Sequence, residues 1–281
     1  MTKFISEISS NHNKSLKRSL KLIRLSKEIG FDIVKFQLFK IDQLFSQDVL
    51  KHSKKHRMRK NWELSETYIH RLSAECKKLN IKFCVTPFYL SAVDIIKPFV
   101  DYIKIASYEI LWNDLLKKCA LTKKPIIIST GMANIIEVEN AVKILKKFGC
   151  KKIIILHCVS NYPASLDTLN LSSIEYLRKK FKVKVGWSDH SNDELVISRA
   201  VEKWKSDYVE MHLDLDGKGY EFNTGHCWLP DRAKKVIKFC KEVKIVDGKF
   251  KKKPSIQEFE ERKFRADPID GLRPIKKYRK F

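Results

Sequence analysis

The sequence lacks the features that mark membrane and secreted proteins. No apolar run in its 281 residues approaches the roughly 20 residues needed to cross a bilayer. The N-terminus, residues 1–7, has no apolar segment of the kind found in signal peptides. We therefore predict a cytoplasmic protein with no membrane partner.

Cysteine is present, but without the spacing of a disulfide or metal-binding framework. The seven cysteines form no Cys-x-x-Cys pair, and most of them fall inside apolar segments. Cys158 and Cys227 lie nearer to polar motifs, and we interpret both as structural thiols rather than metal ligands. We expect all seven to be reduced.

Acidic residues are in deficit, with 33 Asp and Glu against 57 Lys and Arg, a formal net charge of +24. Such a surplus can indicate nucleic-acid binding. Many of the lysines fall on helical stretches and tails, however, and no basic motif is interleaved with aromatic residues, so we predict no nucleic-acid partner. Residues 51–60, KHSKKHRMRK, are the densest basic stretch. We interpret them as a solvated loop, with anion binding as the alternative.

No Gly-x-Gly-x-x-Gly motif follows the first apolar segment, which disfavours a dinucleotide-binding fold. Eight short, largely apolar segments are typical of strands, and they begin near residues 4, 33, 81, 102, 125, 152, 183 and 208. Helical patterns separate most of them, including 15–29, with Gly30 as its stop, 65–79, 135–148 and 230–243. Burial of the most apolar strands on both faces favours parallel pairing. We predict an α/β protein with a (β/α)₈ TIM barrel over residues 1–245 and a basic tail over 246–281; a doubly wound sheet is the alternative.

Polar residues gather toward the carboxyl ends of these strands, which meet at one mouth of a barrel. They are Glu7, Lys35, Gln37, Thr86, Lys104, Ser129, Asn161, Ser188, His190, Glu210 and His212. Lys35 and Lys104 are flanked by apolar residues, and a buried amine is costly unless it meets an anion. With Thr86, Ser107 and Ser129 they predict a pocket for phosphate and carboxylate groups. Lys184 precedes its strand tip, and we interpret it as solvated.

Two imidazoles, His190 and His212, end successive strands. With carboxylates nearby and access to water, they suit a divalent ion such as Mn²⁺ better than a closed tetrahedral zinc site. Mg²⁺ and Co²⁺ are the alternatives. We interpret His157, on an apolar strand, as structural, whereas the sequence leaves His12, Asp216 and His226 undecided.

An ordered set of motifs from residue 4 to about 243 resembles the sialic acid synthase (N-acetylneuraminate synthase) family. The matching stretches are Glu7-Ile8 with Asn11-His12, Val34-Lys-Phe-Gln37, Thr86-Pro-Phe88, Lys104-Ile-Ala-Ser107 with Glu109, Ser129-Thr-Gly-Met132, Leu156-His-Cys158 with Asn161-Tyr-Pro163, Ser188-Asp-His190, and Glu210 with His212. Each stretch is weak alone, but the ordered set is specific.

The resemblance implies a barrel that condenses phosphoenolpyruvate with an N-acyl-hexosamine aldehyde, similar to N-acetylmannosamine, into a sialic-acid-like nonulosonic acid and releases phosphate. It implies that His190 and His212 hold Mn²⁺. It also implies that phosphoenolpyruvate is bound by Lys35, Thr86, Lys104, Ser107, Ser129, Asn161 and Ser188. The sugar would face Gln37, Glu109 and Tyr162. We expect Glu7 to be the catalytic carboxylate.

Two departures from the family pattern bear on the acceptor sugar. Typical members continue into a small antifreeze-like domain whose arginine reaches the partner's sugar site, whereas this sequence ends at Phe281. Arg265 or Arg273 in the tail is a candidate replacement. Members also carry Gly-Pro-Asp after the last strand, where this chain has Glu221, Asn223 and His226. We therefore assign Glu221 to the sugar site and expect a related but different sugar.

Other function classes remain as alternatives. A 3-deoxy-aldulosonate synthase would use the same enol chemistry on another aldose. A basic nucleic-acid-binding protein, and a catalytically silent barrel that binds sugar, are alternatives of a different class. Intact Lys35, Lys104, His190 and His212 disfavour the silent barrel. The oligomeric state stays open, with a homodimer as one possibility.

Overall fold

The computed structural model describes residues 2–279 and shows eight parallel strands that close into one barrel. Each strand pairs with the next, and the last pairs with the first from Lys3↔Tyr208 to Glu7↔His212. The strands are β1 (Lys3–Glu7), β2 (Ile33–Leu38), β3 (Lys82–Pro87), β4 (Tyr102–Ile105), β5 (Ile126–Ser129), β6 (Ile153–Cys158), β7 (Lys184–Asp189) and β8 (Tyr208–His212). The predicted (β/α)₈ barrel is confirmed, and its closure excludes the doubly wound sheet.

Helices lie between the strands. They are α1 (Leu16–Ile29), α2 (Ile41–Leu44), α3 (Gln47–His52), α4 (Lys54–Met58), α5 (Ile69–Lys78), α6 (Leu90–Ile96), α7 (Asn113–Leu121), α8 (Ile135–Lys147), α9 (Ser173–Phe181), α10 (Glu194–Glu202) and α11 (Pro230–Asp247). The ends of α1 are those predicted: Ser15 accepts a hydrogen bond from the Arg18 amide, and Gly30 ends the helix at φ 103°. The helix predicted from Ser65 starts instead as a 3₁₀ turn, and the Ser65 side chain does not cap it.

The two faces of the strands bury different sets of side chains. One face packs against the helices in the main hydrophobic core. The other fills the barrel interior with a smaller cluster, formed by Ile5, Ile33, Cys84, Tyr102, Ile127, Ile154, Leu156 and Tyr208. Because side chains alternate along a strand, the residues two positions further on also point inward. Glu7, Lys35, Lys104, Ser129 and Glu210 occupy these positions, two residues after Ile5, Ile33, Tyr102, Ile127 and Tyr208.

Gly186 makes a close approach of β7 to β8 possible. A Cβ atom there would lie 2.0 Å from the Tyr208 carbonyl oxygen. Only glycine fits at this position without moving the strand that carries Glu210 and His212.

Residues 51–60 are mostly exposed, as predicted, but they are helical, so their interpretation as a loop is wrong. Residues 41–62, which we call the basic wall, form α2, α3 and α4 and then a 3₁₀ turn from Arg59 to Trp62. Ile41 of the wall is buried together with Phe39 and Phe88, which lie outside it. The partly buried side chains that pack on them are Leu44, Phe45, Leu50, Trp62 and Ala106. These apolar residues between the charges hold the wall against the barrel.

A second compact unit begins at Val243, and the first ends at Glu242. The second unit contains short 3₁₀ turns at Ile256–Glu258, Glu261–Phe264 and Lys276–Tyr278. Within it, Arg279 forms an ion pair with Asp270. The division at residue 245 and the role of Arg265 or Arg273 stay predictions. No helix in residues 2–279 is long and apolar enough to span a membrane.

Candidate active site

A cavity of about 670 Å³ opens at the carboxyl ends of the strands. Most of the residues predicted for the site line it: Lys35, Gln37, Lys104, Ser107, Glu109, Ser129, Tyr162, Ser188, His190, His212 and Glu221. Glu7, Thr86 and Asn161 are not among its lining residues. Asn161 is exposed and accepts a hydrogen bond from the Tyr162 amide.

At the floor of the cavity, the ammonium groups of two lysines lie close to the same carboxylate. Lys35 Nζ lies 2.9 Å from Glu210 Oε1, and Lys104 Nζ lies 3.6 Å from the same oxygen. Ser188 donates a hydrogen bond to it at 3.1 Å. Each of the four residues is at most 2% exposed. Two cations therefore converge where water is nearly excluded, which is the setting for binding a doubly charged anion.

Burial and neighbouring charges have opposing effects on the pKa of each ionisable side chain at the floor, Lys35 and Glu210. Burial lowers the pKa of Lys35 to about 8, against the attraction of Glu210. Burial alone would raise the pKa of Glu210, but Lys104 and Lys35 outweigh it and hold that pKa well below its ordinary value. Glu210 is thus ionised at neutral pH.

Glu7 ends β1, in register with Lys35 and His212, as the sequence predicted, but its side chain is not among those that line the cavity. It is fully buried and forms an ion pair with Lys35. Its Oε1 accepts hydrogen bonds from the Ser9 amide at 2.7 Å and from Gln37 Nε2 at 3.3 Å. Glu7 therefore reaches the cavity through Lys35.

Two buried hydroxyl groups near the floor have no hydrogen-bond partner within the described chain, those of Thr86 and Ser129. A buried hydroxyl without a partner costs free energy, and a bound polar ligand would satisfy it. Ser107 Oγ accepts from the Gly131 amide at 3.0 Å. Of these three residues, Ser107 and Ser129 line the cavity.

Three imidazoles and a carboxylate meet on the side of the cavity formed by β7, β8 and the loop after β8. The ring centroid of His212 lies 5.3 Å from that of His190 and 4.4 Å from that of His226. Donor atoms of His212, Glu221, His226 and Cys227 all lie within 4.8 Å of one another. The predicted ligand His212 thus belongs to a set of close donor atoms with Glu221, His226 and Cys227, whereas His190 lies beside that set and is not a member of it.

The donor set fits a divalent ion. Burial lowers the pKa of His190 to about 4 and that of His212 to about 3, so both rings are neutral and can offer a lone pair. His190 Nδ1 donates to the Val159 carbonyl at 2.7 Å, which leaves Nε2 for a ligand. Glu221 Oε2 is buried, has no hydrogen-bond partner in residues 2–279, and lies 3.4 Å from His212 Nδ1.

Cys227 differs from the other donors because its thiol must lose a proton before it can bind an ion, and burial raises the pKa of that thiol to about 12. It contacts Asn11 Nδ2 and the Glu221 carbonyl. The nitrogen and oxygen donors that remain, on an open cavity, suit Mn²⁺ and related ions.

A family model described as the NeuB family matches residues 22–252. The chain belongs to the NeuB family. An N,N'-diacetyllegionaminic acid synthase of Legionella pneumophila is 35% identical over 92% of this chain and 77% of its own length. A protein of Methanocaldococcus jannaschii is 38% identical over 76% of this chain and 63% of its own length. The chain therefore spans about two thirds to three quarters of the length of these relatives.

A solved structure supports the same assignment for this NeuB-family protein. The N-acetylneuraminic acid (sialic acid) synthetase of Leptospira borgpetersenii superposes with a TM-score of 0.78 at 28% identity, covering 92% of this chain and 90% of that one. The predicted resemblance to the sialic acid synthase family is confirmed.

Several residues of the NeuB-family site were not assigned from the sequence. Glu210 was noted only as a polar strand residue, yet it binds both lysines; its spacing of two from Tyr208 and His212 was the available signal. His226 was undecided and proves to lie against His212, with 3.1 Å between its Nε2 and His212 Nδ1. His12 and Asp216 lie elsewhere: His12 accepts from the Lys14 amide, and Asp216 pairs with Arg18.

The histidine side of the site is held by two buried networks. In the first, the Asp189 carboxylate accepts hydrogen bonds from the indoles of Trp187 at 3.1 Å and Trp228 at 3.0 Å, and from the Asn192 amide at 3.1 Å. These bonds fix the end of β7 and with it the position of His190. His157 lies outside the cluster, and its Nε2 contacts the Leu169 carbonyl at 2.8 Å.

The second network ties the loop after β8 to the loop after β1. Arg18 pairs with Asp214 and Asp216, both at 2.7 Å, and the Asp214 side chain is fully buried. Asn11 Oδ1 accepts from the Glu221 amide at 3.0 Å. Glu221 therefore faces the imidazoles because Arg18 and Asn11 hold its loop.

Replacing Arg18 by Gln is expected to destabilise the protein by about 2 kcal/mol, since it leaves the buried Asp214 carboxylate without its cation. It should also weaken Mn²⁺ binding by about tenfold to a hundredfold, because the loop that carries Glu221 loosens. Chemical denaturation and a Mn²⁺ titration measure the two effects.

Arg24→Gln is the matched control on the same helix: its ion pair with Glu75 is exposed and should contribute less than about 1 kcal/mol. Equal effects of the two substitutions would contradict the positioning role of Arg18.

Proposed function

We propose that this protein condenses phosphoenolpyruvate with the aldehyde of an N-acyl-hexosamine, similar to N-acetylmannosamine, to form a sialic-acid-like nonulosonic acid and inorganic phosphate. One observation carries the proposal. A single cavity holds two buried ammonium groups, Lys35 and Lys104, and a converging set of neutral imidazoles with the Glu221 carboxylate. The first set suits an anionic enol phosphate, and the second suits an ion that binds an aldehyde oxygen.

The phosphoenolpyruvate end of the cavity is the floor. The phosphate and carboxylate groups of the substrate would compete with Glu210 for Lys35 and Lys104, and would meet the hydroxyls of Ser107, Ser129 and Ser188. We retain Thr86 and Asn161 as proposed ligands, although neither is among the residues that line the cavity. The unsatisfied hydroxyl of Thr86 supports its inclusion.

His190 and His212, joined by His226 and Glu221, are the residues that would hold the divalent ion, most simply Mn²⁺, with Mg²⁺ or Co²⁺ as alternatives. Such an ion, when bound, polarises the aldehyde oxygen as a Lewis acid. The imidazoles contribute by staying neutral, and Asp189 contributes by fixing the end of β7.

The residues of the floor position the reacting carbon atoms and move protons. The enol carbon of phosphoenolpyruvate forms a bond to the aldehyde carbon, and the aldehyde oxygen takes up a proton and becomes a hydroxyl group. Water adds to the neighbouring carbon, where positive charge develops, and loses a proton. The tetrahedral intermediate then releases phosphate by cleavage of its carbon–oxygen bond, and the hydroxyl group left on that carbon loses its proton to form the keto group. We propose that Glu7 takes up the proton of the water through Lys35, whose pKa of about 8 suits proton exchange.

The sugar end of the cavity is lined by Gln37, Glu109, Tyr162 and Glu221. The Tyr162 ring packs on that of His190, with centroids 4.2 Å apart, and lies 4.9 Å from that of His226. An aromatic face beside the metal ligands would support one face of the acceptor. We propose that Gln37 and Glu109 accept or donate hydrogen bonds to its hydroxyl and amide groups.

Glu109 provides a pH-dependent test of the sugar end. Burial raises its pKa from 4.5 to about 7, against the attraction of Lys104. Because the folded-state pKa lies above the unfolded one, this group reduces stability progressively as the pH rises from about 4.5 to 7. We expect Glu109→Gln to raise stability at pH 8 by up to about 3 kcal/mol and to leave it unchanged near pH 4. The same change should remove a rise of kcat/KM for the sugar that the wild type shows through pH 7.

Denaturation at pH 4 and pH 8 measures the first effect, and a pH profile of phosphate release measures the second. Glu139→Gln is the control, because Glu139 is exposed and its pair with Lys180 should contribute less than about 1 kcal/mol. A Glu109→Gln variant that is no more stable than the wild type at pH 8 would contradict the buried, raised-pKa carboxyl.

The proposed function is tested by a phosphate-release screen. Phosphoenolpyruvate is supplied with a panel of acetamido-hexoses, amino-hexoses and unsubstituted aldoses, with and without Mn²⁺. We expect release that depends on both an acetamido sugar and the ion. Release only with unsubstituted aldoses would favour a 3-deoxy-aldulosonate synthase, and no release with any sugar would refute the proposal.

A further inference from the structure

The second compact unit, described over residues 243–279, leaves most of its large apolar side chains in water. Nine of the 22 exposed large apolar side chains in the described residues belong to it, although most of the chain lies in the first unit. They are Ile245, Val246, Phe250, Ile256, Phe259, Phe264, Ile269, Leu272 and Tyr278. Five of the nine are at least 78% exposed. Apolar groups concentrated in this way on one exposed segment mark an interaction surface.

Polar contacts shape the loop that closes this unit. In residues 2–279, no hydrophobic cluster includes a residue after Cys240. Asp267 is buried instead, and its carboxylate accepts hydrogen bonds from the Ile269 amide at 3.0 Å and the Lys276 amide at 2.8 Å. The Ile269 side chain is 87% exposed. The loop therefore keeps its fold without covering its apolar side chains, which remain available to another surface.

The same unit carries a surplus of positive charge. Its sequence has 13 Lys and Arg against 6 Asp and Glu, and Asp270 is already paired with Arg279. The densest part is residues 249–253, KFKKK, in which Phe250 is fully exposed. All four lysines of this run are exposed, and none of them forms an ion pair within the described chain. Uncompensated ammonium groups thus surround a bare aromatic ring.

A protein or a nucleic acid fits this composition less well than a lipid surface does. Lysine is depleted at the centre of protein–protein interfaces, whereas here it alternates with the exposed apolar residues. A nucleic acid would use the ammonium groups but would leave the aliphatic side chains in water. An anionic bilayer accepts both kinds of group, because ammonium ions meet lipid phosphates while apolar side chains enter the boundary between headgroups and acyl chains.

We propose that residues 243–279 bind peripherally to a bilayer that contains anionic phospholipids. The lysines of residues 249–253 meet the lipid phosphates, and Phe250 enters the headgroup boundary together with the neighbouring aliphatic side chains. Such a contact needs no spanning helix, and none is found in residues 2–279. The prediction of no membrane partner rests on the lack of a spanning segment and does not cover a contact at the bilayer surface. The inference does not depend on the reaction proposed above.

The test is sedimentation of the full chain with two kinds of vesicle, equal parts phosphatidylglycerol and phosphatidylcholine, or phosphatidylcholine alone. We expect binding to the anionic vesicles that weakens as salt is added, and little binding to the neutral ones. Replacing Lys249, Lys251, Lys252 and Lys253 together by Gln should weaken it by about a hundredfold or more, since each lysine near an anionic surface contributes about fivefold. Phe250→Ser should weaken it by about tenfold.

The matched controls lie in the first unit. Replacing Lys143, Lys146, Lys147 and Lys151 together by Gln removes the same charge from exposed positions. Leu195→Ser removes a side chain that is 61% exposed. Vesicle binding of both controls should stay within about threefold of the wild-type value, because neither change touches the second unit. All the substituted side chains are exposed, so thermal denaturation should show unchanged folding in every variant.

Four results would overturn the inference. The first is equal binding, or no binding, to the two kinds of vesicle. The second is an equal loss in the two fourfold lysine variants, which would assign the attraction to net charge alone. The third is a dimer, measured by analytical ultracentrifugation, that Phe250→Ser dissociates while vesicles are not bound; a second copy would then cover the surface. The fourth is tighter binding to a DNA duplex than to anionic vesicles, unaffected by Phe250→Ser.

Discussion

Lys35→Met is expected to lower kcat/KM for phosphoenolpyruvate by about a hundredfold to a thousandfold, because it removes one of two buried ammonium groups that meet the same anion. Lys35 is 2% exposed and touches both Glu7 and Glu210. A substrate that binds there now meets two carboxylates and only the Lys104 ammonium. The loss should appear in KM as well as kcat, since binding and proton transfer both depend on this residue.

The same substitution should also lower the free energy of unfolding of the protein. It leaves Glu7 and Glu210 near each other with one cation fewer, and we expect a cost of about 3 kcal/mol at pH 7. The cost should shrink at low pH as the carboxylates become protonated. Denaturation at pH 7 and pH 5 measures it.

Lys184→Met is the matched control for Lys35→Met. Lys184 is also a strand lysine, but it is exposed and starts β7 at the opposite end of the barrel from the cavity. We expect near-normal kinetics and stability within about 0.5 kcal/mol of the wild type. A Lys35→Met variant that kept its KM for phosphoenolpyruvate would show that the floor is not where the enol phosphate binds.

His212→Gln is expected to abolish Mn²⁺-dependent phosphate release and to weaken Mn²⁺ binding by about a hundredfold or more. His212 lies between the other two imidazoles, with ring centroids 5.3 Å from His190 and 4.4 Å from His226, and faces Glu221. Its removal takes one imidazole from the set of donor atoms that lie within 4.8 Å of one another in the described residues, which His212 forms with Glu221, His226 and Cys227. Electron paramagnetic resonance of bound Mn²⁺ measures the affinity without reference to turnover.

The control for this experiment is His157→Gln. His157 lies on β6 and does not line the cavity. It contacts the Leu169 carbonyl, and a glutamine amide can replace that hydrogen bond. Mn²⁺ affinity should stay within about threefold of the wild-type value, since no donor of the cluster changes. If both variants bind Mn²⁺ as the wild type does, the ion is held elsewhere and the metal part of the proposal fails.

Much of the barrel could be predicted from periodicity and from local signals at the ends of elements. Strand β4 begins at Tyr102, where it was predicted, and α1 begins after Ser15 and ends before Gly30 as expected. These features depend on short-range interactions, such as capping and the alternation of buried residues. Lys35 and Lys104 could be assigned to the site because a lysine inside an apolar strand needs a special environment.

The misinterpreted residues depend on interactions between distant parts of the chain. Glu7 ends β1 as expected, but its side chain pairs with Lys35 instead of lining the cavity, and that contact depends on the register between β1 and β2. Residues 51–60 were expected to form a solvated loop because charges dominate their composition, and they are mostly exposed but helical. The position of the basic wall depends on its few apolar side chains, which are partly buried against Phe39 and Phe88.

The basic wall is one uninterrupted stretch between β2 and α5, and none of its residues belongs to a strand, although several of them line the cavity. The ammonium and imidazole groups lie on or just after strands, in a frame set by the hydrogen bonds of the barrel. Substitutions and length changes in residues 41–62 can therefore accumulate without displacing the reacting groups. A chimaera that receives the corresponding segment of a relative should inherit that relative's preference among acceptors while it keeps its own turnover chemistry.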